Sequence, residues 1–293
     1  MLLRLRHNAP YLLMVLPALI IFCVFFVAPV IMTFQMSLTD FSNFSAESKF
    51  IGVENYAQAL EDPAIQKGIV NSLWYAFAVV ILNNVIALPV AVILNSRMRG
   101  RTAFRAIFFS PAVLSILVVG FLWSYMLSSS EYGLVNGLLG MVGVEPVNFF
   151  GDPDKAMWSI IVTQVWQWFG YAMVIYLANL QSIPAELYEA ASIDGATRMR
   201  QFWHVTLPNL LPALQINFIT GLISGLKVFD IVFSTTKGGP GYATETVLTL
   251  MFAKFSQGRF GYAAAFGIVF LIVTLVISTV MLRIFKRMET RLS

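Results

Sequence analysis

Charge is scarce in this sequence. Only 12% of its 293 residues are Asp, Glu, Lys or Arg, against about 25% in a typical soluble domain, so much of the surface must face something other than water. Cysteine is nearly absent: Cys23 stands alone, which excludes an internal disulfide and a cysteine-based metal cluster. The two histidines, His7 and His204, sit at the borders of apolar stretches. No H-E-x-x-H links them to zinc hydrolysis, and His204 is read as an interfacial polar residue. The phosphate-cradling G-x-x-x-x-G-K-[ST] is missing too. Thr236-Lys-Gly-Gly-Pro240 has neither its spacing nor its strand–loop–helix setting. The chain is therefore expected to hydrolyse nothing by itself and to hold no cofactor and no metal. Internal repeats and low-complexity tracts are absent. The net charge of +4 does not point to nucleic acid, because the basic residues are dispersed at segment ends rather than clustered.

What is abundant is apolar surface, at 58% of residues. It falls into six stretches, near 11–34, 70–94, 106–128, 157–181, 209–234 and 262–285, each long enough for the ~20 residues of a helical crossing. The expectation is an all-α polytopic membrane protein with six transmembrane helices, forming one domain over 1–293. The first stretch exceeds the ~7–15 apolar residues of a signal peptide and lacks an A-x-A-type site, so it is read as a span. Cys23 within it is a small lipid- or core-facing residue. Pro17, Pro29, Pro89 and Pro111 fall in or near spans, where neighbouring groups satisfy the carbonyls they free.

Lysine and arginine set the orientation. An even number of spans puts both termini on one side, with Arg4, Arg6, Arg97, Arg99, Arg101, Arg105, Arg198, Arg200, Arg283, Lys286, Arg287 and Arg291. The opposite side has Lys49, Lys67, Lys155, Lys237, Lys254 and Arg259. This excess places both termini in the cytoplasm. The outer segments 35–69, 129–156 and 235–261 hold ten of the fifteen carboxylates and are too short to fold alone. They read as a docking surface or as plain connectors.

Polar residues inside spans are informative, since each needs a partner or a water-filled cavity. In the fourth span Gln164, Trp168 and Tyr171 share one helical face, with Gln167 beside it. Aromatic rings next to amides suit a sugar, whose C–H faces stack while its hydroxyls hydrogen-bond; an interfacial aromatic belt with inter-helix bonds is the alternative. In the fifth span Asn217, Gly221, Gly225 and Val228 share a face and Ser224 lies beside it. That G-x-x-x-G is a close-packing signature, and a face packed against a second, similar chain would line a path between the two. Lys227 and Asp230, at i and i+3 near the outer end, could pair or snorkel, and a structural pair is the expectation. Asn83 and Asn84 in the second span are expected to hydrogen-bond between helices.

The most ordered polar stretch is Glu186 to Pro208, E-L-Y-E-A-A-S-I-D-G-A-T-R-M-R-Q-F-W-H-V-T-L-P. It reads as helix, break, helix. Ser182 is the expected cap, with Pro184 in the first turn, Glu186 and Glu189 near the positive helix end, and Gly195 as the left-handed break.

This stretch resembles the cytoplasmic coupling loop of bacterial ABC importer permeases, and is most similar to the carbohydrate-uptake subfamily of maltose and glycerol-phosphate permeases (type I importers). Phe50-Ile-Gly-Val-Glu-Asn-Tyr56, Leu180-Gln-Ser-Ile-Pro184, Thr236-Lys-Gly-Gly-Pro240 and Phe260-Gly-Tyr-Ala-Ala-Ala265 also resemble that subfamily, in the same order. The resemblance implies a permease subunit working with a second, similar permease, an ATPase dimer that binds ATP and Mg, and an extracytoplasmic solute-binding protein, in a bacterial cell membrane. Within the loop, residues 182–208, it assigns ATPase coupling to Glu186, Glu189, Ala190, Ala191, Asp194, Gly195 and Ala196. It places a sugar site on the fourth and fifth helices, making Gln164, Trp168, Tyr171, Asn217, Gly221, Ser224, Gly225 and Val228 the expected substrate path. Here the fifth-helix face is poorer in amides than in the maltose type. The turn residues Gly238, Gly239 and Pro240 are the expected binding-protein contact. The rival readings are an ion-coupled secondary transporter, which needs mid-membrane carboxylates where the spans offer only Asp230, and a membrane scaffold, which has no use for a Gly-broken cytoplasmic element.

Overall fold

The computed structural model describes residues 14–43, 48–96, 98–130 and 133–292; Arg4, Arg6, His7, Arg97 and the residues before Met14 lie outside them. Among the described residues the one extended pairing is an isolated antiparallel bridge between Thr39 and Phe50. The rest of the regular structure is helical. In chain order the helices are α1 (Met14–Ser37), α2 (Glu54–Glu61), α3 (Pro63–Asn95), α4 (Arg101–Val113), α5 (Ile116–Met126), α6 (Leu134–Met141) and α7 (Pro153–Leu180). They continue with α8 (Ala185–Ile193), α9 (Arg198–Asn209), α10 (Leu211–Leu226), α11 (Asp230–Thr235), α12 (Val247–Ser256) and α13 (Phe260–Leu292).

Helices α1, α3, α7 and α13 are each long and apolar enough to cross a bilayer unbroken. The expected third crossing is a bent pair, α4 with α5 at 99°, and the expected fifth contains α10, which meets α9 of the preceding polar stretch at 60°. Six spans result when each pair counts as one. The continuous third and fifth spans expected from hydropathy are thus corrected, and proline is the reason. Pro111 tightens the end of α4 into a 3₁₀ turn over Ser110–Val113, after which Leu114 and Ser115 are extended. Proline cannot donate the next helical bond. The carbonyl of Leu114 is taken by the side-chain nitrogen of Gln167 at 3.1 Å, which is how a broken helix survives at membrane depth. In the fifth, Pro212 begins α10, and the helix stops at Leu226 rather than near 234 before α11 resumes.

Two other prolines widen a helix without breaking it. A π-turn over Cys23–Val27 precedes Pro29, and another over Phe202–Thr206 precedes Pro208. In an α-helix the proline ring collides with the carbonyl four residues back, and the wider turn moves that carbonyl away. Pro89 is carried inside α3.

The chain forms two compact units. The first comprises the residues up to Asp62 with Met251–Leu271. Here the Asn55 amide donates to the carbonyls of Ser37 and Thr39, and the Ser37 hydroxyl meets that of Tyr56 at 2.6 Å. The Tyr262 hydroxyl donates to Asp62 at 3.0 Å, and the Arg259 guanidinium lies 4.3 Å over the Tyr262 ring. The second unit comprises Pro63–Leu250 with the residues from Ile272 on. Its centre is α3, packed against α7 and α10. One apolar cluster gathers Tyr75, Val79, Val119, Ile160, Ile161 and Ile231. A second gathers Ala87, Leu94, Met173, Tyr176, Leu210 and Ala213. Asp152 caps α7 by accepting from the Asp154 backbone, and its bond to Lys155 holds its carboxyl below the usual carboxylate range.

Candidate functional site

Between those clusters α3, α7 and α10 enclose a cavity of about 400 Å³. All eight residues expected along a substrate path line it: Gln164, Trp168 and Tyr171 from α7, Asn217, Gly221, Ser224 and Gly225 from α10, and Val228 just beyond. The Trp168 and Tyr171 rings meet edge to face at 6.0 Å and are partly exposed. The amides are buried instead; Asn217 donates to the Ala172 carbonyl at 3.2 Å. The lining therefore pairs two aromatic faces with amide and hydroxyl groups, a mixture that stacks on C–H surfaces and hydrogen-bonds hydroxyls.

The glycine face packs closely, as its spacing predicts. A Cβ on Gly225 would lie 2.8 Å from the Ala76 Cα, and one on Gly221 would lie 3.0 Å from Val80. The close-packing partner of α10 is the chain's own α3, and Gly225 has a structural duty as well as a place on the wall. Lys227 and Asp230 are both exposed and both line the cavity, but they do not form the expected ion pair, unlike Lys155 with Asp152 and Lys254 with Asp62. The reason is that α10 ends before them: Lys227 follows its last residue and Asp230 opens α11, so their separation is no longer a helical i, i+3. Sequence reasoning missed Thr220, Tyr75 and Asn83 as lining residues. The signal was present, since Asn217, Thr220 and Ser224 fall at i, i+3 and i+7 on one helical face.

The stretch after α7 is built locally. Its first helix begins at Ala185 because Pro184 is held extended, with ψ 135°. The expected Ser182 cap is incorrect: its hydroxyl is drawn back to the Asn179 carbonyl at the end of α7. The break is as expected, with Gly195 at φ +74°. The Gly195 amide bonds the Ser192 carbonyl and the Ala196 amide bonds the Ala191 carbonyl, the paired closure of a helix ended by a left-handed residue. Two residues on, the Thr197 hydroxyl caps α9 by accepting from Arg200. Gln201 ties the two helices by donating to the Ser192 hydroxyl and the Ala196 carbonyl, and Tyr188 meets Thr206 at 3.1 Å. Glu186, Glu189, Ala190, Asp194 and Gly195 are exposed, while Ala191 and Ala196 are partly covered. The sequence reading passed over the apolar residues here. Ile193 is 86% exposed, and Met199 and Trp203 are exposed as well, which is unusual for large apolar side chains in a charged setting. His204 is exposed and its Nδ1 pairs only with the Arg200 carbonyl.

The loop between α11 and α12 folds on itself. The Thr244 hydroxyl donates to the Gly239 carbonyl, and the Asn71 amide of α3 donates to the carbonyls of Tyr242 and Glu245. Gly238 is buried and Gly239 and Pro240 are half-buried. The outward face belongs to Gly241 and Tyr242, the latter 57% exposed.

Residues 8–293 match the family of binding-protein-dependent transport system inner membrane components. The chain belongs to that family. The permease is 36% identical to the trehalose/maltose transport system permease protein MalF of Thermococcus litoralis, over 93% of this chain and 92% of that one. It is 34% identical to the arabinooligosaccharides transport system permease protein AraP of Bacillus subtilis, over 95% and 89%. Its fold is similar to a chain in the crystal structure of a bacterial alginate ABC transporter in complex with an alginate pentasaccharide-bound periplasmic protein, with TM-score 0.86, 26% identity, and coverage of 98% and 97%. It is a multi-pass membrane permease of the ABC importer class.

Proposed function

We propose that the permease passes a sugar or oligosaccharide across the membrane through the cavity between α3, α7 and α10. The observation that carries this reading is the cavity's lining, where the Trp168–Tyr171 pair faces hydrogen-bonding groups of α10. The relatives' names, trehalose/maltose and arabinooligosaccharides, support the same chemical class. An ion-coupled transporter is less well served, because Asp230 is the sole carboxylate on the lining.

In this reading a binding protein delivers the sugar, contacting the loop around Gly238, Gly239 and Pro240 by way of Gly241 and Tyr242. A second permease closes the path, and a cytoplasmic ATPase dimer holding ATP and Mg drives the cycle by gripping Glu186, Glu189, Ala190, Ala191, Asp194, Gly195 and Ala196. Both termini lie in the cytoplasm, and both compact units belong to one permease domain. The exposed Ile193, Met199 and Trp203 supply the apolar area that such a grip needs, since interface energy concentrates in a few desolvated anchors. This chain itself catalyses no reaction.

The test is reconstitution with the partner permease, ATPase and binding protein in proteoliposomes, offering radiolabelled maltose, trehalose and arabino-oligosaccharides. The expected result is uptake of one of these that needs both ATP and the binding protein. Uptake driven by an ion gradient without ATP, or ATP-driven uptake unaffected by blocking the cavity at Ser224, would overturn the reading.

A further inference from the structure

The cavity has a third polar wall, on α3. Tyr75, Val79 and Asn83 fall at i, i+4 and i+8, on one face of that helix, and all three line the cavity. The two adjacent asparagines are used differently. Asn84 is satisfied within the protein: its nitrogen donates to the Val80 carbonyl at 2.7 Å and its oxygen accepts from the Tyr176 hydroxyl. Asn83 is only 9% exposed, and its Oδ1 has no hydrogen-bond partner among the described residues. On the neighbouring α7, Gln164 repeats the pattern, 8% exposed with Oε1 unpartnered. Native structures hold few buried polar atoms without a partner, because such an atom has left water and gained nothing in exchange. Two of them on neighbouring helices, from residues that line one cavity, mark a place built for a ligand that brings hydrogen-bond donors.

We propose that Asn83 is a sugar-contacting specificity residue supplied by the second span, acting with Gln164 as a pair of acceptors for two substrate hydroxyls. Asn84 beside it is structural. The proposal rests on the reading of this cavity as the sugar path. An amide suits the task because a sugar hydroxyl both donates and accepts, and the amide offers both ends. The substrate is then held on three sides, by the aromatic pair of α7, the polar stripe of α10 and the amide of α3.

The experiment uses the assembled importer with Cys23→Ser, which removes this chain's one native thiol, and compares each variant with that background. Asn83→Cys, Asn84→Cys and Trp168→Cys are then introduced singly and treated with a small methanethiosulfonate reagent, with and without the sugar shown to be carried in the uptake assay. Asn83→Cys and Trp168→Cys are expected to react and to be slowed at least about three-fold by the sugar-loaded binding protein; Asn84 also lines the cavity, so Asn84→Cys is expected to stand apart by a lowered melting midpoint, through loss of the Tyr176 bond, and not by its reactivity. Asn83→Ala is expected to lower uptake by about five-fold, the value of one hydrogen bond of ordinary strength, with ATP hydrolysis stimulated as before. Protection at Trp168→Cys without reaction or protection at Asn83→Cys overturns the role of Asn83 and leaves the sugar path standing. Protection at neither position overturns both. Should Asn83→Cys not assemble, Asn83→Ala decides: a lowered melting midpoint with normal uptake per assembled complex makes Asn83 structural and ends the proposal.

Discussion

The cavity and the helix pair α8–α9 break the usual rule of burial in opposite senses. In the cavity the telling residues are polar and buried: Gln164 and Asn217, at 8% and 6% exposed. In the helix pair they are apolar and exposed, with Ile193 bare among Glu, Asp and Arg. The cavity draws on three helices far apart in sequence, so tertiary packing must assemble it. The helix pair is closed by hydrogen bonds spanning a few residues, from the Gly195 turn to the Thr197 cap. A buried polar group waits for a small ligand that replaces its lost water; an exposed apolar group waits for a protein surface that removes it from water.

The strongest way to break the comparison is at the wall the cavity shares with the core. Gly225→Leu drives a branched side chain into the α3 backbone at Ala76. Overpacking typically costs about 1–3 kcal/mol, and a backbone obstacle belongs at the upper end. The expected outcome is loss of monodisperse permease in detergent chromatography; normal yield with an unchanged melting midpoint would show that α10 and α3 are not locked there.

Next come the changes in the helix pair. Ile193→Asp and Glu189→Lys are expected to leave the permease folded while ATPase co-purification and uptake fall at least about ten-fold, the loss of one interface anchor. Gly195→Val reaches a similar end through the backbone, since a left-handed residue with a side chain costs about 1–2 kcal/mol. Co-purification at the original level would remove the interface from this element.

A plug sharpens the other half. Ser224 is exposed to the cavity, so Ser224→Trp is expected to preserve assembly and stimulated ATP hydrolysis while cutting uptake by about ten-fold, equivalent to 1.4 kcal/mol. Trp168→Ala removes one stacking face and is expected to cost about five-fold in uptake, close to 1 kcal/mol. The smallest effect belongs to Tyr242→Ala at the exposed loop tip. It should weaken stimulation by the loaded binding protein by less than about three-fold, as peripheral contacts do. A larger loss would promote Tyr242 to an anchor.

Local features were the legible ones. Gly195 announces its left-handed turn because few other residues take φ +74° without strain, and polar residues at helical spacing declare a common face. What escaped depends on distant neighbours. Hydropathy sees the apolar content of 106–128 and not the 99° bend that Pro111 and the extended Ser115 produce. The G-x-x-x-G of α10 signals close packing without saying against which helix, and the partner is α3. Lys227 and Asp230 look like a helical pair, but α10 ends at Leu226, ahead of both. The different fates of Asn83 and Asn84 turn on Tyr176, 92 residues beyond Asn84.

The Gln167 amide that takes the Leu114 carbonyl joins two positions 53 residues apart in a way that should leave a trace in natural variation. Gln167 is fully buried, and its nitrogen has that use only while the chain is extended after Pro111. A relative in which α4 and α5 fuse into one helix has no free carbonyl to satisfy, and a glutamine there becomes a burden. Glutamine at 167 and the proline-broken segment 111–115 should therefore be gained and lost together across lineages, and a chimera exchanging one without the other should fold worse than either parent.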